Sequence, residues 1–135
     1  MNLERNNINA LKRTEYLMLT PNPNSEIKKI YLHLLNSWKN YEGLGYQKAI
    51  AYKNEFGEVR LSGIITGNWS EIMFILPEGW RPKNYLIFSC SSCCDYNDDG
   101  KRVDVKPDGT VFRSHWCLPS SGNGWVSLDG ISFYT

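Results

Sequence analysis

Arg102-Val-Asp-Val-Lys-Pro-Asp-Gly-Thr-Val-Phe-Arg113 is the stretch whose reading decides the fold class of this chain. Side chains alternate along an extended backbone, so Val103 and Val105 share one face and Asp104 and Lys106 the other. Pro107-Asp-Gly109 then reverses the chain, because Asp-Gly supplies the left-handed backbone that a tight hairpin needs. The expectation is a hairpin with a dry side and a wet side, its second strand running through Thr110-Val-Phe-Arg-Ser-His-Trp116. A fold that contains it has antiparallel strands.

Working outward, turn signals recur at strand-length intervals, as in a sandwich or barrel. Asn84 to Cys94 reads as a strand separated from Arg102–Lys106 by the polar turn Asp95-Tyr-Asn-Asp-Asp-Gly100. Ile72-Met-Phe-Ile-Leu76 is a continuous apolar run and reads as a strand buried on both faces. Gln47 to Lys53 and Glu58 to Thr66 flank Asn54-Glu-Phe-Gly57, a hairpin of loop length. Ile30-Tyr-Leu-His-Leu-Leu-Asn-Ser-Trp38 fits a helical period, but Asn40 and Gly43-Leu-Gly45 follow closely and favour a first strand. Trp125-Val-Ser-Leu-Asp-Gly-Ile-Ser-Phe133 closes the sheet, so the C-terminal residues are expected to be structure. Trp38 and Trp125 read as core side chains. No alternation of strands and helices appears.

Residues 1–29 differ from the rest. Met1 to Thr20 has no Gly or Pro and carries a weak heptad trace at Leu3, Ala10 and Leu17, with Asn7 and Thr14 between. Thr20-Pro-Asn-Pro-Asn-Ser25 stops any helix, since each proline removes a donor and disfavours helical geometry before it. The organisation expected is a short helical or disordered connector over 1–29 and one β-domain over 30–135.

The whole chain has 135 residues, enough for one core that buries about two-thirds of the unfolded surface. Lys plus Arg at 15 against Asp plus Glu at 14 leaves a net charge of +1, so no global field draws in nucleic acid or an anionic membrane. No apolar stretch is long enough to span a bilayer, and no signal region of basic then apolar residues begins the chain. The five Trp and eight Tyr exceed what a small core needs, which points to rings held at a surface for binding.

Four segments in this order resemble the C-terminal head domains of bacteriophage tail-fibre and baseplate receptor-binding proteins. They are Val59-Arg-Leu-Ser-Gly-Ile-Ile-Thr-Gly67, Leu76-Pro-Glu-Gly-Trp-Arg-Pro82, Val103-Asp-Val-Lys-Pro-Asp-Gly-Thr-Val111, and Ser121-Gly-Asn-Gly-Trp-Val-Ser-Leu-Asp-Gly-Ile-Ser-Phe-Tyr-Thr135. The series begins with a Trp-bearing first strand at Trp38, and the likeness covers about residues 31 to 135. It implies an all-β fold, an antiparallel β-sandwich of jelly-roll type, assembled as a homotrimer on the virion at the tail tip or baseplate. It also implies attachment to a cell-wall polysaccharide or teichoic acid at the host surface, together with contacts to other tail or baseplate proteins. Trp80 lies inside a shared motif and reads as a structural turn. Trp69 and Trp116 depart more from the pattern and are the preferred recognition rings.

The residues themselves favour binding over catalysis. A pyranose packs its C–H face on an aromatic ring and needs fixed polar partners for its hydroxyls. Trp69, His115, Trp116, Asn123, Asp95 and Asp99 supply that mixture, with Ser120 and Ser121 nearby. His33 and His115 are the only histidines, no serine sits in a nucleophile elbow, and no carboxylate pair is singled out. No catalytic residue is therefore assigned and no cofactor is expected. Cys90, Cys93 and Cys117 with His115 could form a zinc site, but alternate positions on one strand are not the usual knuckle spacing. A disulfide from Cys90 or Cys94 to Cys117 is a second reading, and free buried thiols are the preferred one. Asp95-x-Asn97-x-Asp99-Gly100 begins like a calcium loop, yet Lys106 stands where the bidentate acid belongs. Two rivals remain: a structural assembly domain that never touches the host, and a carbohydrate-active enzyme or its lectin module.

Overall fold

The computed structural model describes residues 26–67, 72–92, 102–113 and 124–135, and none of these is helical. Three antiparallel sheets are built from β1 (Lys28–Tyr31), β2 (Lys39–Asn40), β3 (Ile50–Lys53), β4 (Glu58–Ser62), β5 (Ile64–Thr66), β6 (Ile72–Ile75), β7 (Leu86–Ser89), β8 (Arg102–Val105), β9 (Thr110–Arg113), β10 (Trp125–Ser127) and β11 (Ser132–Tyr134). The sheet orders are β1-β3-β4-β11, β10-β5-β2 and β6-β9-β8-β7. In the last of these, β7, β8 and β9 follow one another and β6 returns to lie beside β9, which is a Greek key, the unit from which jelly rolls are made.

Both expected hairpins form for the reasons their turns dictate. At β8–β9, Gly109 N donates to Lys106 O at 2.9 Å and Asp108 Oδ1 accepts from Thr110 N at 2.9 Å. Gly109 sits at φ 90°, and its carbonyl accepts from Leu76 N at 2.8 Å, so the turn also docks on β6. At β3–β4, Asn54 N donates to Glu58 O at 3.1 Å, and Asn54 Oδ1 accepts from both Phe56 N and Glu58 N at 3.0 Å, which holds the reversal closed.

Several strands are shorter than their sequence patterns. Glu58–Thr66 is two strands, because Gly63 at φ 120° turns the chain from one sheet into the next. The partner turn at Asp129-Gly130 does the same for Trp125–Phe133, sending β10 to β5 and β11 to β4. The two corners are tied: Leu128 N donates to Gly63 O at 2.8 Å, and Asp129 Oδ1 accepts from Gly63 N at 3.2 Å. These two sheets therefore act as one bent layer, with strands changing sheet at the bend. Ile30–Trp38 yields only β1, since Asn36 adopts φ 57°, a conformation Asn tolerates, and Leu35 N leaves to bond Met73 O at 2.8 Å. Asn84–Cys94 yields β7, after which Ser91 O accepts from Ser127 N at 2.8 Å and Ser92 bridges Val126.

A single core joins the bent layer to the Greek-key sheet. It takes Trp38, Ala51, Val59, Leu61, Ile65, Val126 and Phe133 from one side and Met73, Phe74, Val103, Val105 and Val111 from the other. Ile72–Leu76 is not buried on both faces as its composition suggested: Ile72 and Ile75 are 39% and 50% exposed. A bulge between Ile72 and Phe74 sets an extra residue in β6, and so the adjacent Met73 and Phe74 are both buried. Trp38 is core, as expected, whereas Trp125 is half-buried and Val126 takes the inward position. Trp80 packs on the core rim in the turn closed by Trp80 N donating to Pro77 O at 3.0 Å, a structural role.

Cys90 is a free thiol in this core, and burial pushes its pKa up to about 11, with the Arg113 charge opposing. A thiol held protonated and shielded is a poor nucleophile. Iodoacetamide at mildly alkaline pH should leave the Cys90 peptide unlabelled in the native protein and label it after denaturation. Native labelling, read by mass spectrometry, would contradict the burial.

Candidate functional site

The sequence-predicted binding residues Trp69, Asp95, Asp99, His115, Trp116 and Asn123 lie outside the described residues, as do Cys93, Cys94, Asn97 and Cys117. The described residues do fix where the segments that carry them are anchored. Those segments leave from Gly67, Ser92 and Arg113 and return at Ile72, Arg102 and Gly124. Ile72 pairs with Phe112, Val103 with Arg113, and Arg102 with Ser89, so four of these anchors crowd one end of the Greek-key sheet. Ser92 bridges Val126 and Ser91 O accepts from Ser127 N at 2.8 Å, which brings Gly124 of the other layer to the same end, and Gly67 with it, since Thr66 Oγ1 donates to Gly124 O at 2.6 Å. Three connections rich in aromatic and polar residues thus spring from one end of the sandwich.

A second polar and aromatic surface lies on the flank of the bent layer. Arg60 pairs with Tyr52 on β3 and with Ser132 on β11, and Glu58 pairs with Tyr134, so these side chains share the face opposite Val59 and Leu61. Arg60 Nε donates to the Glu58 carboxylate, and the Tyr134 hydroxyl donates to it as well. Asp129 Oδ1 accepts from Ser62 Oγ in addition to Gly63 N. Two concavities open here. One, of about 350 Å³, is lined by Tyr52, Arg60, Ser62, Asp129 and Ser132 among others. Its neighbour, of about 400 Å³, lies between β11 and β7 and is lined by Tyr134, Phe133, Lys83, Asn84 and Ile87, with Ser132 common to both.

The hydrogen bonds from Arg60, then from Tyr134, hold the Glu58 carboxyl below the usual carboxylate range. Its contribution to stability is therefore present above the unfolded value of about pH 4.3 and is lost as pH falls through the lower folded value. The Glu58 side-chain carbon should titrate by NMR with a midpoint below 4.3, and Arg60→Ala should move it upward. A native midpoint at or above the unfolded value would remove the ion pair from the account.

The outer face of the Greek-key sheet departs from the wet side expected for the β8–β9 hairpin. Asp104 is only 1% exposed. Arg102 Nε and Nη2 donate to its two oxygens at 2.8 and 2.9 Å, and Tyr85 Oη donates at 2.6 Å. Lys106 Nζ stands 5.1 Å from the Phe112 ring and 5.9 Å from the Tyr85 ring, so its stem covers aromatic surface. Burial, then the bond to Asp104, raises the Tyr85 pKa and keeps it a donor. Among the described residues, no group of three or more His, Cys, Asp or Glu side chains is placed to hold a metal ion.

The described residues thus form an all-strand sandwich with the anchors of three connections gathered at one end. No family model and no curated protein matches the sequence. Among solved structures, the chain is similar to the receptor binding protein of Listeria phage PSA, at 18% identity and a TM-score of 0.62, over 98% of this chain and 77% of that one. The likeness is one of fold: the all-strand architecture of this chain is similar to that of the listerial phage protein.

Proposed function

We propose that this chain is the head domain of a phage tail receptor-binding protein, carried on a fibre or baseplate, which attaches the virion to polysaccharide on the host surface. The observation that carries this reading is the convergence of the three connections at one end of the sandwich. There, Trp69 and Trp116 would supply stacking rings, and Asp95, Asp99, His115 and Asn123 the hydrogen bonds. No covalent step is assigned; the work is adhesion. A shallow sugar site binds weakly, so a homotrimer, multiplied over the virion, would raise avidity by effective concentration.

The test uses the full chain on a glycan array of bacterial wall polysaccharides and teichoic acids, beside Trp116→Ala, with mass measured by light scattering. The reading expects selective binding by a trimer and a loss of about tenfold or more in the variant, as for an aromatic hot spot. A monomer that ignores every glycan would leave the fold and remove the function. One observation favours the assembly-domain reading instead: Ile72, Ile75 and Ile87 stand 39%, 50% and 57% exposed on the outer face of the Greek-key sheet, where another tail protein could cover them.

A further inference from the structure

We propose that the flank of β3, β4 and β11, from Tyr52 to Tyr134, is a second carbohydrate-binding surface, and that it takes an extended run of pyranose units instead of a terminal sugar. It rests on the polysaccharide reading above but uses none of the same residues. The two concavities meet at Ser132, which gives a continuous path across β11 with one tyrosine in each half. Tyr52 and Tyr134 stand two strands and two residues apart in the register, a separation of roughly 12 Å from ordinary sheet spacings. A single sugar cannot touch both rings, whereas non-adjacent units of one chain can.

The polar groups between the rings are already oriented. Tyr134 is 63% exposed on a strand whose Phe133 and Tyr134 pair with Val59 and Glu58 of β4, so the ring offers a face to solvent from a fixed backbone position. Arg60, with a side chain 72% exposed, spends Nε on Glu58 and keeps its other guanidinium donors. Asp129 is fixed through Oδ1 and leaves Oδ2 as an acceptor. Rings alternating with fixed donors and acceptors match the C–H faces and hydroxyls of a pyranose chain. Arg60 pairs with Glu58, and Lys83 and Asp129 add one charge of each sign along the path, so the surface carries no net charge, which favours a neutral polymer. A peptide strand fits less well, because the β11 edge offers only Ser132–Tyr134 for pairing.

The experiment compares the full chain with Tyr52→Ala, Tyr134→Ala, Tyr134→Phe and Trp116→Ala. The probe is a neutral wall polysaccharide selected on the array, together with its mono-, tri- and hexasaccharide fragments. Each tyrosine-to-alanine variant should weaken hexasaccharide and polymer binding about 3- to 10-fold, the range for one aromatic contact, and leave the monosaccharide unchanged. Tyr134→Phe keeps the ring and should stay within about threefold of the parent, which also guards against a folding artefact. Full-strength polymer binding by both alanine variants, with loss only in Trp116→Ala, would overturn this surface and leave the receptor reading intact. A Tyr134→Phe loss as large as that of alanine would overturn the stacking role. A parent that bound a teichoic acid or another anionic wall polymer but no neutral polysaccharide would overturn this surface and leave the receptor reading standing, whereas a parent that bound no glycan at all would remove both.

Discussion

Gly63→Ala should lower the stability of the domain by about 2–6 kcal/mol, a large share of the 5–15 kcal/mol typical of a native protein. Two costs combine. At φ 120° an L side chain is strained, at about 1–3 kcal/mol. The added Cβ would also lie 2.7 Å from the Lys48 carbonyl carbon and oxygen and 2.8 Å from Ala49 Cα. These are backbone atoms held in the β3 approach, and relieving such overpacking costs about 1–3 kcal/mol more. Gly130 provides the internal comparison. It turns the same corner at φ 93° but has nothing within 4 Å of its virtual Cβ, so Gly130→Ala should cost only the strain, about 1–2 kcal/mol. Thermal melts of the two variants side by side should show the larger fall for Gly63→Ala. Equal shifts would mean that contact at the bend contributes nothing. Because Gly63 N also fixes Asp129, the flank cleft should loosen with the corner.

Phe74→Ala is the second large effect, expected at about 3–5 kcal/mol. Phe74 is fully buried in the core shared by the bent layer and the Greek-key sheet, beside Met73, which the bulge turns inward as well. Removing the ring leaves a cavity between the layers that its close-packed neighbours can fill only in part. Urea unfolding should show a lower midpoint at an unchanged slope, because the surface exposed on unfolding stays the same. Ile75→Ala, one residue on and half-exposed, should change stability by less than about 1 kcal/mol. A small effect at Phe74 would place the packing interface elsewhere.

What was legible in the sequence was local. Pro107-Asp-Gly109 and Asn54–Gly57 carry their turn geometry in their own residues, and both hairpins form where those residues stand. The Tyr52–Arg60 pairing was within reach too, by counting back from the Asn54 turn. The Tyr134–Glu58 pairing was not, since it joins the last strand to β4 across most of the chain. Nor was the burial of Asp104: alternation put it on the wet face, and only Tyr85, 19 residues away, and the neighbouring Arg102 make that position dry. The bulge in β6 hid for a similar reason, because a continuous apolar run has no period to break. Strand lengths were overestimated at Asn36, Gly63 and Ser89, where the chain changes sheet although its hydrophobic pattern continues.

The candidate site divides along the same line. The tip residues were chosen for their chemistry in turn-rich segments, and the described anchors gather those segments at one end without describing the residues themselves. The flank surface escaped notice because its parts come from three strands and become a site only through register.

The measurement that bears most directly on the central claim is binding of the fluorescently labelled full chain to a panel of bacterial strains, before and after their surface is treated with protease or stripped of wall polysaccharide. The account predicts labelling of a narrow set of strains that survives protease and disappears with the polysaccharide. Labelling abolished by protease and indifferent to polysaccharide removal, or no labelling of any strain, would contradict it.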